Sequence, residues 1–170
     1  LMGEGAVRRS LLENTPEGAA AVIEGVMGYY DGIAMSSRAS AYDLARTTGT
    51  PAVLVADARG RALTAAALVK GMADFRPDAN IRGVILNRCP PMLYGRLKES
   101  VEAETGVKVY GCLPDLPECA LESRHLGLVT AAEVGGLRQK LHRMAEQAEQ
   151  TIDIDGLLAL AASGPALGGP

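Results

Sequence analysis

The chain has 170 residues, a length that predicts one domain with a single buried core. Its 48% hydrophobic and 22% charged residues are typical of a soluble globular protein and exclude a disordered or fibrous chain. Acidic and basic residues are interspersed and the net charge is −3, so nothing indicates nucleic-acid binding. No apolar run approaches the roughly 20 residues that cross a bilayer, and the first residues lack the basic and then apolar pattern that indicates secretion. We therefore expect a cytoplasmic protein with no membrane partner.

Four apolar runs recur at nearly even intervals and predict strands at residues 21–23, 52–56, 83–86 and 107–110. The first three are continuous rather than alternating, as expected for strands that are covered on both faces. Helix-like stretches separate the runs at residues 40–48, about 61–75 and about 92–105. Strand–helix units of about 30 residues predict right-handed crossovers, and therefore an α/β fold with an open parallel sheet.

The last third of the chain predicts one long helix followed by a linker. Apolar residues spaced four, three and four apart give this helix one apolar face, which we expect to pack in the core; they are Leu137, Leu141, Met144 and Ala148. Residues 161–170 are rich in Gly, Pro and Ala, a composition typical of a linker. We therefore divide the chain into a domain at residues 1–160 and a linker at residues 161–170.

Polar side chains follow three of the four predicted strands at their carboxyl ends, where ligands bind in open α/β sheets. Glu24 follows the first run, Asp57 the second, and Asn87 with Arg88 the third, whereas the fourth run continues into Gly-Cys-Leu-Pro114. A carboxylate in this position suits Mg²⁺ held with nucleotide phosphates, and an Asn amide matches an adenine edge. The alternative is that the carboxylates cap neighbouring helices and the Asn closes a turn.

The segment from Glu24 to Gly32 is the most informative in the chain. It holds three glycines in nine residues, which predicts a tight loop close to a ligand or to another part of the backbone. It also holds two carboxylates, Glu24 and Asp31, seven residues apart. A simple glycine-rich turn does not need that pair.

These residues carry a resemblance to a known family. Val22-Ile-Glu-Gly-Val-Met-Gly-Tyr-Tyr-Asp-Gly32 closely resembles a segment of the cobyrinic acid a,c-diamide synthases. The resemblance continues in order through residues 51–60, 83–88, 122–129 and 151–155, and so covers nearly the whole chain. It implies a P-loop NTPase fold like that of dethiobiotin synthetase, with three α/β/α layers.

The family amidates two acetate side chains of a corrinoid, cobyrinic acid or a related tetrapyrrole, in cobalamin biosynthesis. ATP, with Mg²⁺, phosphorylates a carboxylate, and ammonia from glutamine attacks the acyl phosphate. Catalysis of this kind lies in positioning the reactants and neutralising phosphate charge. The resemblance thus implies a ligase that takes ATP, Mg²⁺, a corrinoid and glutamine.

Matched position by position, the resemblance assigns roles to the loop and to a later segment. Glu24 is expected to be catalytic and to bind magnesium, and Asp31 is expected to face the corrinoid carboxylate or the ammonia. Tyr30 is expected to stack on the macrocycle, with packing inside the loop as the alternative. Arg124 is expected to bind a phosphate or a carboxylate of the substrate, and His125 is either a substrate contact or a structural residue.

The resemblance assigns the nucleotide to the ends of the later strands. Asn87 resembles the adenine-reading Asn of dethiobiotin-synthetase-like ATPases, with Arg88 beside it. Asp57 is expected to contact the nucleotide, or else only to order the next helix. Pro114 is expected to line the crevice.

The sequence departs from the family pattern at both ends. It contains no G-x-x-x-x-G-K-[ST] phosphate loop and no Gly-Lys pair, so the first strand and its loop are missing from the pattern. None of its three cysteines has the glycine-flanked setting of a glutaminase nucleophile. We expect a fragment that is inactive alone, with a glutaminase domain outside it. The alternative is a complete, non-catalytic ATPase-fold binding module, and a homodimer is left open.

Overall fold

A computed structural model describes residues 3–120 and 135–165 of the chain. Six α-helices lie in these ranges: α1 Glu4–Asn14, α2 Ala41–Thr48, α3 Leu63–Asp74, α4 Pro91–Thr105, α5 Leu137–Thr151 and α6 Ile154–Ala162. Three β-strands alternate with them: β1 Ala52–Asp57, β2 Ile81–Asn87 and β3 Lys108–Leu113. Single 3₁₀ turns cover Ile33–Met35 and Pro117–Cys119. None of the described helices is long and apolar enough to span a membrane.

The three strands form one parallel sheet in the order β1-β2-β3. Helix α3 connects β1 to β2, and α4 connects β2 to β3. The register sets Asp57 beside Asn87, and Asn87 beside Leu113. The sequence-based prediction of strands in the second, third and fourth apolar runs is therefore confirmed. Since strands and crossovers run in this order, the carboxyl ends of all three strands share one edge of the sheet.

The core lies between the sheet and the pair of helices α3 and α4. Val84 and Leu86 of β2 are completely buried, as are Val69 of α3 and Val101 of α4. Small residues at Ala65 and Ala66 let α3 approach the sheet closely. The core residues form one continuous cluster of aliphatic side chains together with Cys89 and Cys112.

The helix boundaries follow from local capping. The Ser40 side chain accepts a hydrogen bond from the Asp43 N–H at 3.1 Å, and Gly49 ends α2 in the left-handed conformation. Helix α4 begins with Pro91 at its first position and ends at Gly106, also left-handed. These predicted boundaries are confirmed to within two residues.

A third layer comes from the C-terminal part of the chain. Ile152 forms an antiparallel bridge with Gly111 of β3, and Asp153 caps α6 by accepting from the Gly156 N–H at 2.8 Å. The other end of α6 reaches the segment before β1, where Pro165 packs on Gly49. Helix α6 thus flanks the sheet at β3, outside the core cluster that α3 and α4 form with the strands. Together with the family comparison given below, this confirms an open parallel sheet with helices on both faces, in three α/β/α layers.

Residues 151–153 can approach strand β3 closely because residue 111 is glycine. Gly111 has φ +145°, and a Cβ atom there would lie 2.2 Å from the carbonyl oxygen of Thr151. The Asp153 N–H also donates to the Tyr110 carbonyl at 2.7 Å. The segment around residues 151–155 is therefore packed and hydrogen-bonded against strand β3.

The strand predicted at residues 21–23 does not form. Val22 is 95% exposed, and the segment has no regular secondary structure. Three apolar residues make a strand only when a neighbouring strand satisfies their backbone groups, and no described strand lies beside them. The prediction was wrong because it relied on the apolar character of the run and did not require a neighbouring strand to pair with it.

The expected core position of the apolar face of α5 is also wrong. Helix α5 has no buried residue, and Leu141 is half exposed. The described contacts of this helix are with β3 and the 3₁₀ turn at Pro117–Cys119, at the margin of the sheet. The apolar face of α5 therefore packs at the edge of the sheet and does not reach the core. The sequence analysis also missed α1 and α6, and α6 includes Ala161 and Ala162, assigned to the linker.

The core assignment predicts a strong contrast between two identical substitutions. Val84→Ala should lower the free energy of unfolding by about 2 kcal/mol, because two buried methyl groups leave a cavity. Val55→Ala, on the neighbouring strand, should cost less than about 0.5 kcal/mol because Val55 is 66% exposed. Urea denaturation followed by circular dichroism measures both. Equal losses would contradict the assigned core.

Candidate functional site

All four residues predicted to bind the nucleotide lie at the carboxyl edge of the sheet. Asp57 ends β1, Asn87 ends β2, Arg88 follows it directly, and Pro114 follows the last residue of β3. The Cys89 N–H donates to the Leu113 carbonyl at 2.9 Å, which draws the ends of β2 and β3 together. The predicted grouping of these residues at one edge is therefore present, while their roles stay predictions.

Arg88 and Asp57 form a bidentate ion pair between neighbouring strand ends. The Arg88 Nε donates to Asp57 Oδ1 at 3.0 Å, and a terminal guanidinium nitrogen donates to Oδ2. Arg88 has φ +53°, a left-handed conformation that is uncommon for a side chain of this size. A planar guanidinium matches a carboxylate in two parallel hydrogen bonds, so this pair fixes both orientation and distance.

Two further arginines complete the environment of Asp57. The Arg59 N–H donates to Asp57 Oδ1 at 3.0 Å, and Arg61 Nη1 lies 3.2 Å from Oδ2 and 2.5 Å from the Asp57 carbonyl oxygen. The Arg59 N–H and then the Arg88 guanidinium lower the pKa of Asp57 to about 2. Asp57 is thus a paired, fully ionised carboxylate that orders the loop leading into α3. This geometry favours the helix-ordering alternative over direct contact with a nucleotide.

Asn87 is oriented by the residue that follows it. Its Oδ1 accepts from the Arg88 N–H at 3.0 Å, and its carbonyl accepts from the Ala58 N–H at 2.8 Å. Among the hydrogen bonds of the described residues, none uses the Asn87 side-chain NH₂ group. The amide therefore presents two donor hydrogens at the edge of the sheet, where a purine nitrogen can accept.

Sequence analysis missed a second ion pair at this edge. Arg59 Nη2 lies 2.5 Å from Asp115 Oδ2, and both side chains are about half exposed. Arg59 follows β1 and Asp115 follows β3, so the pair spans the end of β2. The signal was present in the sequence, because Asp-Ala-Arg-Gly-Arg comes directly after one strand and Pro-Asp directly after another.

The glycine-rich loop is anchored at the opposite end of the sheet. The Tyr29 hydroxyl donates to the Ala79 carbonyl at 2.5 Å, and the Tyr30 hydroxyl donates to the Met72 carbonyl at 2.6 Å. Ala79 precedes β2, and Met72 lies in the last turn of α3. A seven-residue strand is about 20 Å long, so these anchors lie about that far from Asn87.

The structure does not bring Glu24 to the other predicted residues. No hydrogen bond or ion pair within residues 3–120 and 135–165 joins it to Asp57 or Asn87, and it is exposed. The expectation that it shares their edge depended on a strand at residues 21–23, which does not form. Asp31 turns back on the loop, where its Oδ2 accepts from the Gly28 N–H at 3.1 Å.

Tyr30 belongs to an aromatic cluster. Its ring centroid lies 4.9 Å from those of Tyr29 and Phe75 and 5.2 Å from that of Tyr42. Burial raises the pKa of Tyr29 to about 12, so its hydroxyl stays a neutral donor. This arrangement matches the loop-packing alternative for Tyr30. The stacking of Tyr30 on a macrocycle stays a prediction.

The donor chemistry of Glu24 fits Mg²⁺. Mg²⁺ takes one or two carboxylates and fills its remaining positions with water and phosphate oxygens, so an exposed carboxylate is a suitable ligand. No group of three or more His, Cys, Asp or Glu side chains suited to a metal occurs among the described residues. Arg124 and His125 lie outside the described residues.

The chain matches the AAA domain family over residues 4–123, and it belongs to that family. Its fold is accordingly P-loop NTPase-like, with a parallel sheet flanked by helices.

Among individual proteins, the chain is similar to enzymes that amidate corrinoids. It is 37% identical over 97% of its length to cobyrinate a,c-diamide synthase of Caldanaerobacter subterraneus subsp. tengcongensis, covering 37% of that protein. It is 40% identical over 87% of its length to hydrogenobyrinate a,c-diamide synthase of Mesorhizobium japonicum, and it covers 34% of that protein. It is 44% identical over 82% of its length to cobyrinate a,c-diamide synthase of Thermoplasma acidophilum, and it covers 31% of that protein.

The resemblance inferred from the motifs is thereby confirmed. The chain spans about a third of the length of these curated relatives. No solved structure matches it significantly.

The Asp57 environment predicts a pH-dependent loss of stability. Because the folded-state pKa of about 2 lies below the ordinary value of 3.8, the carboxylate stabilises the fold above pH 4 and loses that effect as pH falls towards 2. Asp57→Asn should therefore destabilise the chain at pH 7 and should match the wild type near pH 2. Urea denaturation between pH 7 and pH 2 measures the difference.

Asp74→Asn is the matched control for this prediction. Within the described part of the chain, the Asp74 carboxylate pairs with Lys70 alone, at 3.3 Å and exposed, so its substitution should have little effect at any pH. A difference between wild type and Asp57→Asn that stays constant with pH would show that the carboxylate charge is not responsible.

Proposed function

We propose that this chain is the ATP-binding part of an amidoligase that converts the a and c acetate carboxylates of cobyrinate or hydrogenobyrinate to amides in cobalamin biosynthesis. The observation that carries the proposal is similarity over most of the chain to enzymes of both names. The parallel sheet with polar residues at its carboxyl edge supports a nucleotide site in this part of the protein. We place the enzyme in the cytoplasm.

The reaction needs an activated carboxylate, because a free carboxylate is a poor electrophile. ATP supplies the phosphoryl group for an acyl phosphate, which ammonia derived from glutamine displaces. The task of this chain is to bind and orient the nucleotide and to offset its charge. We propose that glutamine is hydrolysed by a glutaminase domain outside these residues.

Asn87 is the proposed purine-reading residue. Its Oδ1 is held by the Arg88 N–H, so the side-chain NH₂ group points its donors towards a ligand. Arg88 is proposed as a positioning residue. Its guanidinium is paired with Asp57, and its backbone N–H orients the Asn87 amide. Pro114 provides an apolar wall beside the same edge.

The loop residues are proposed for the reacting end of the site. Glu24 would bind Mg²⁺, which links the enzyme to phosphate oxygens and offsets their charge when bound. Asp31 would face the substrate carboxylate or ammonia, and Tyr30, Arg124 and His125 would contact the macrocycle. Since the loop anchors lie about 20 Å from Asn87, these roles require Glu24 to reach the nucleotide from the far end of the sheet.

The proposed purine contact predicts a selective loss of nucleoside binding. Asn87→Ala should weaken adenosine binding by about five- to tenfold, because one or two hydrogen bonds are lost. The measurement is an NMR titration of the ¹⁵N-labelled 170-residue chain with adenosine. Asn14→Ala is the control, since the one side-chain hydrogen bond of Asn14 to a described residue goes to the Ser10 carbonyl of its own helix. Unchanged affinity in Asn87→Ala would exclude Asn87 as the purine contact.

The metal assignment predicts that Glu24 couples ATP to magnesium. Adding Mg²⁺ should tighten ATP binding by the wild-type chain, and Glu24→Gln should abolish that gain while leaving metal-free ATP binding unchanged. Calorimetric titration with ATP, in the presence and in the absence of Mg²⁺, measures both ATP affinities. Glu17→Gln, also exposed and without a described ion pair, serves as control. An undiminished Mg²⁺ effect in Glu24→Gln would remove Glu24 from the metal site.

A further inference from the structure

The Arg59–Asp115 ion pair lies across the mouth of the candidate site. Arg59 comes two residues after β1, and Asp115 comes two residues after β3. Because β2 lies between these strands, the pair closes over the end of β2, where the Asn87 amide is presented. The Nη2–Oδ2 distance is 2.5 Å, so the two side chains are in direct contact. A ligand that approaches Asn87 between the ends of β1 and β3 therefore comes close to this pair.

The charges at this edge do not balance. Asp57 receives the guanidinium groups of Arg88 and Arg61, and it binds Arg59 only through the backbone N–H. Asp115 is the described acidic partner of the Arg59 side chain. Three guanidinium groups therefore face two carboxylates, and the edge carries an excess of one positive charge. Such an excess of positive charge at the carboxyl edge of the sheet attracts an oxyanion.

Of these arginines, Arg59 is the one most easily released. Its side chain is 56% exposed and that of Asp115 is 52% exposed, whereas the Arg61 and Asp57 side chains are each 34% exposed. A half-exposed ion pair contributes little net stability, because water and salt screen it. Arg59 can therefore exchange the Asp115 carboxylate for another oxyanion without leaving a buried charge unpaired.

We infer that Arg59 is an oxyanion-binding residue of the crevice and that Asp115 is its internal counter-ion, displaced when a phosphate or carboxylate group of the ligand enters. A guanidinium binds phosphate and carboxylate in the same bidentate manner, so the chemistry is shared by a nucleotide phosphate and a substrate carboxylate. The identity of the ligand rests on the proposed function, whereas the exchange at Arg59 does not.

The test compares oxyanion binding by variants of the 170-residue chain. Tripolyphosphate is the phosphate probe, tricarballylate is the carboxylate probe, and each is titrated into the ¹⁵N-labelled protein by NMR. Asp115→Asn should tighten binding of at least one probe by about two- to fivefold, because the internal competitor is gone. Arg59→Gln should weaken binding of the same probe by about fivefold, and the double variant should behave like Arg59→Gln.

Arg82→Gln is the matched control, because it removes the same charge at the amino end of β2. It should leave the affinity for both probes unchanged at constant salt. The inference is overturned if Arg59→Gln and Arg82→Gln weaken binding equally, or if Asp115→Asn leaves both probes unaffected. The probe that responds identifies the source: tripolyphosphate indicates the nucleotide, and tricarballylate indicates the substrate.

A parallel titration with adenosine separates this inference from the proposed function. If adenosine shifts the Asn87 amide signals but neither oxyanion responds to the variants, the exchange at Arg59 is wrong and the nucleotide site stands. If the oxyanions respond as expected but adenosine leaves Asn87 unperturbed, the purine contact is wrong and the oxyanion subsite stands.

Discussion

The pairing of Arg88 with Asp57 is the constraint on which the edge of the sheet depends. A parallel sheet directs the carboxyl ends of its strands to one edge, and the ion pair holds two of those ends at a fixed separation. The same contacts turn Arg88 into a left-handed conformation, orient the Asn87 amide and start the loop that leads into α3. A single carboxylate thus determines where three neighbouring groups point. The Arg59 N–H and then the guanidinium groups of Arg88 and Arg61 lower the pKa of that carboxylate, so the arrangement is insensitive to pH in the neutral range.

Local signals in the sequence were enough to predict the sheet and its crossovers. The run at residues 52–56 is unbroken and apolar, Ser40 can cap a helix, and Gly106 can end one. Those features act within a few residues and need no knowledge of the rest of the chain. Residues 21–23 fail for the opposite reason, since an apolar run becomes a strand only through a distant partner. Likewise, Leu141 has helical spacing, but whether its face is buried depends on which helices already cover the sheet.

Part of the candidate site was predictable from the predicted strands and their parallel arrangement. Asp57 and Asn87 end strands, and parallel topology alone brings them together. The partners of Asp57 were not predictable, because three arginines follow or face it at sequence separations from 2 to 31 and nothing local distinguishes them. The glycine-rich loop illustrates the limit most clearly. Its composition indicates a close approach, yet its position is set by two tyrosine hydroxyls that reach carbonyl groups about 40 and 50 residues away.

The close approach at Gly111 has a consequence for how this protein can be divided. Strand β3 is completed by Ile152 and Asp153, which lie 40 residues further along the chain, and glycine is the residue that lets them approach. A piece that ends before residue 152 would leave the Tyr110 carbonyl without its donor and would lack α6 altogether. The minimal folding unit is therefore set by this late crossing rather than by the end of the last strand. Any recombinant boundary, domain swap or fusion junction has to fall beyond it.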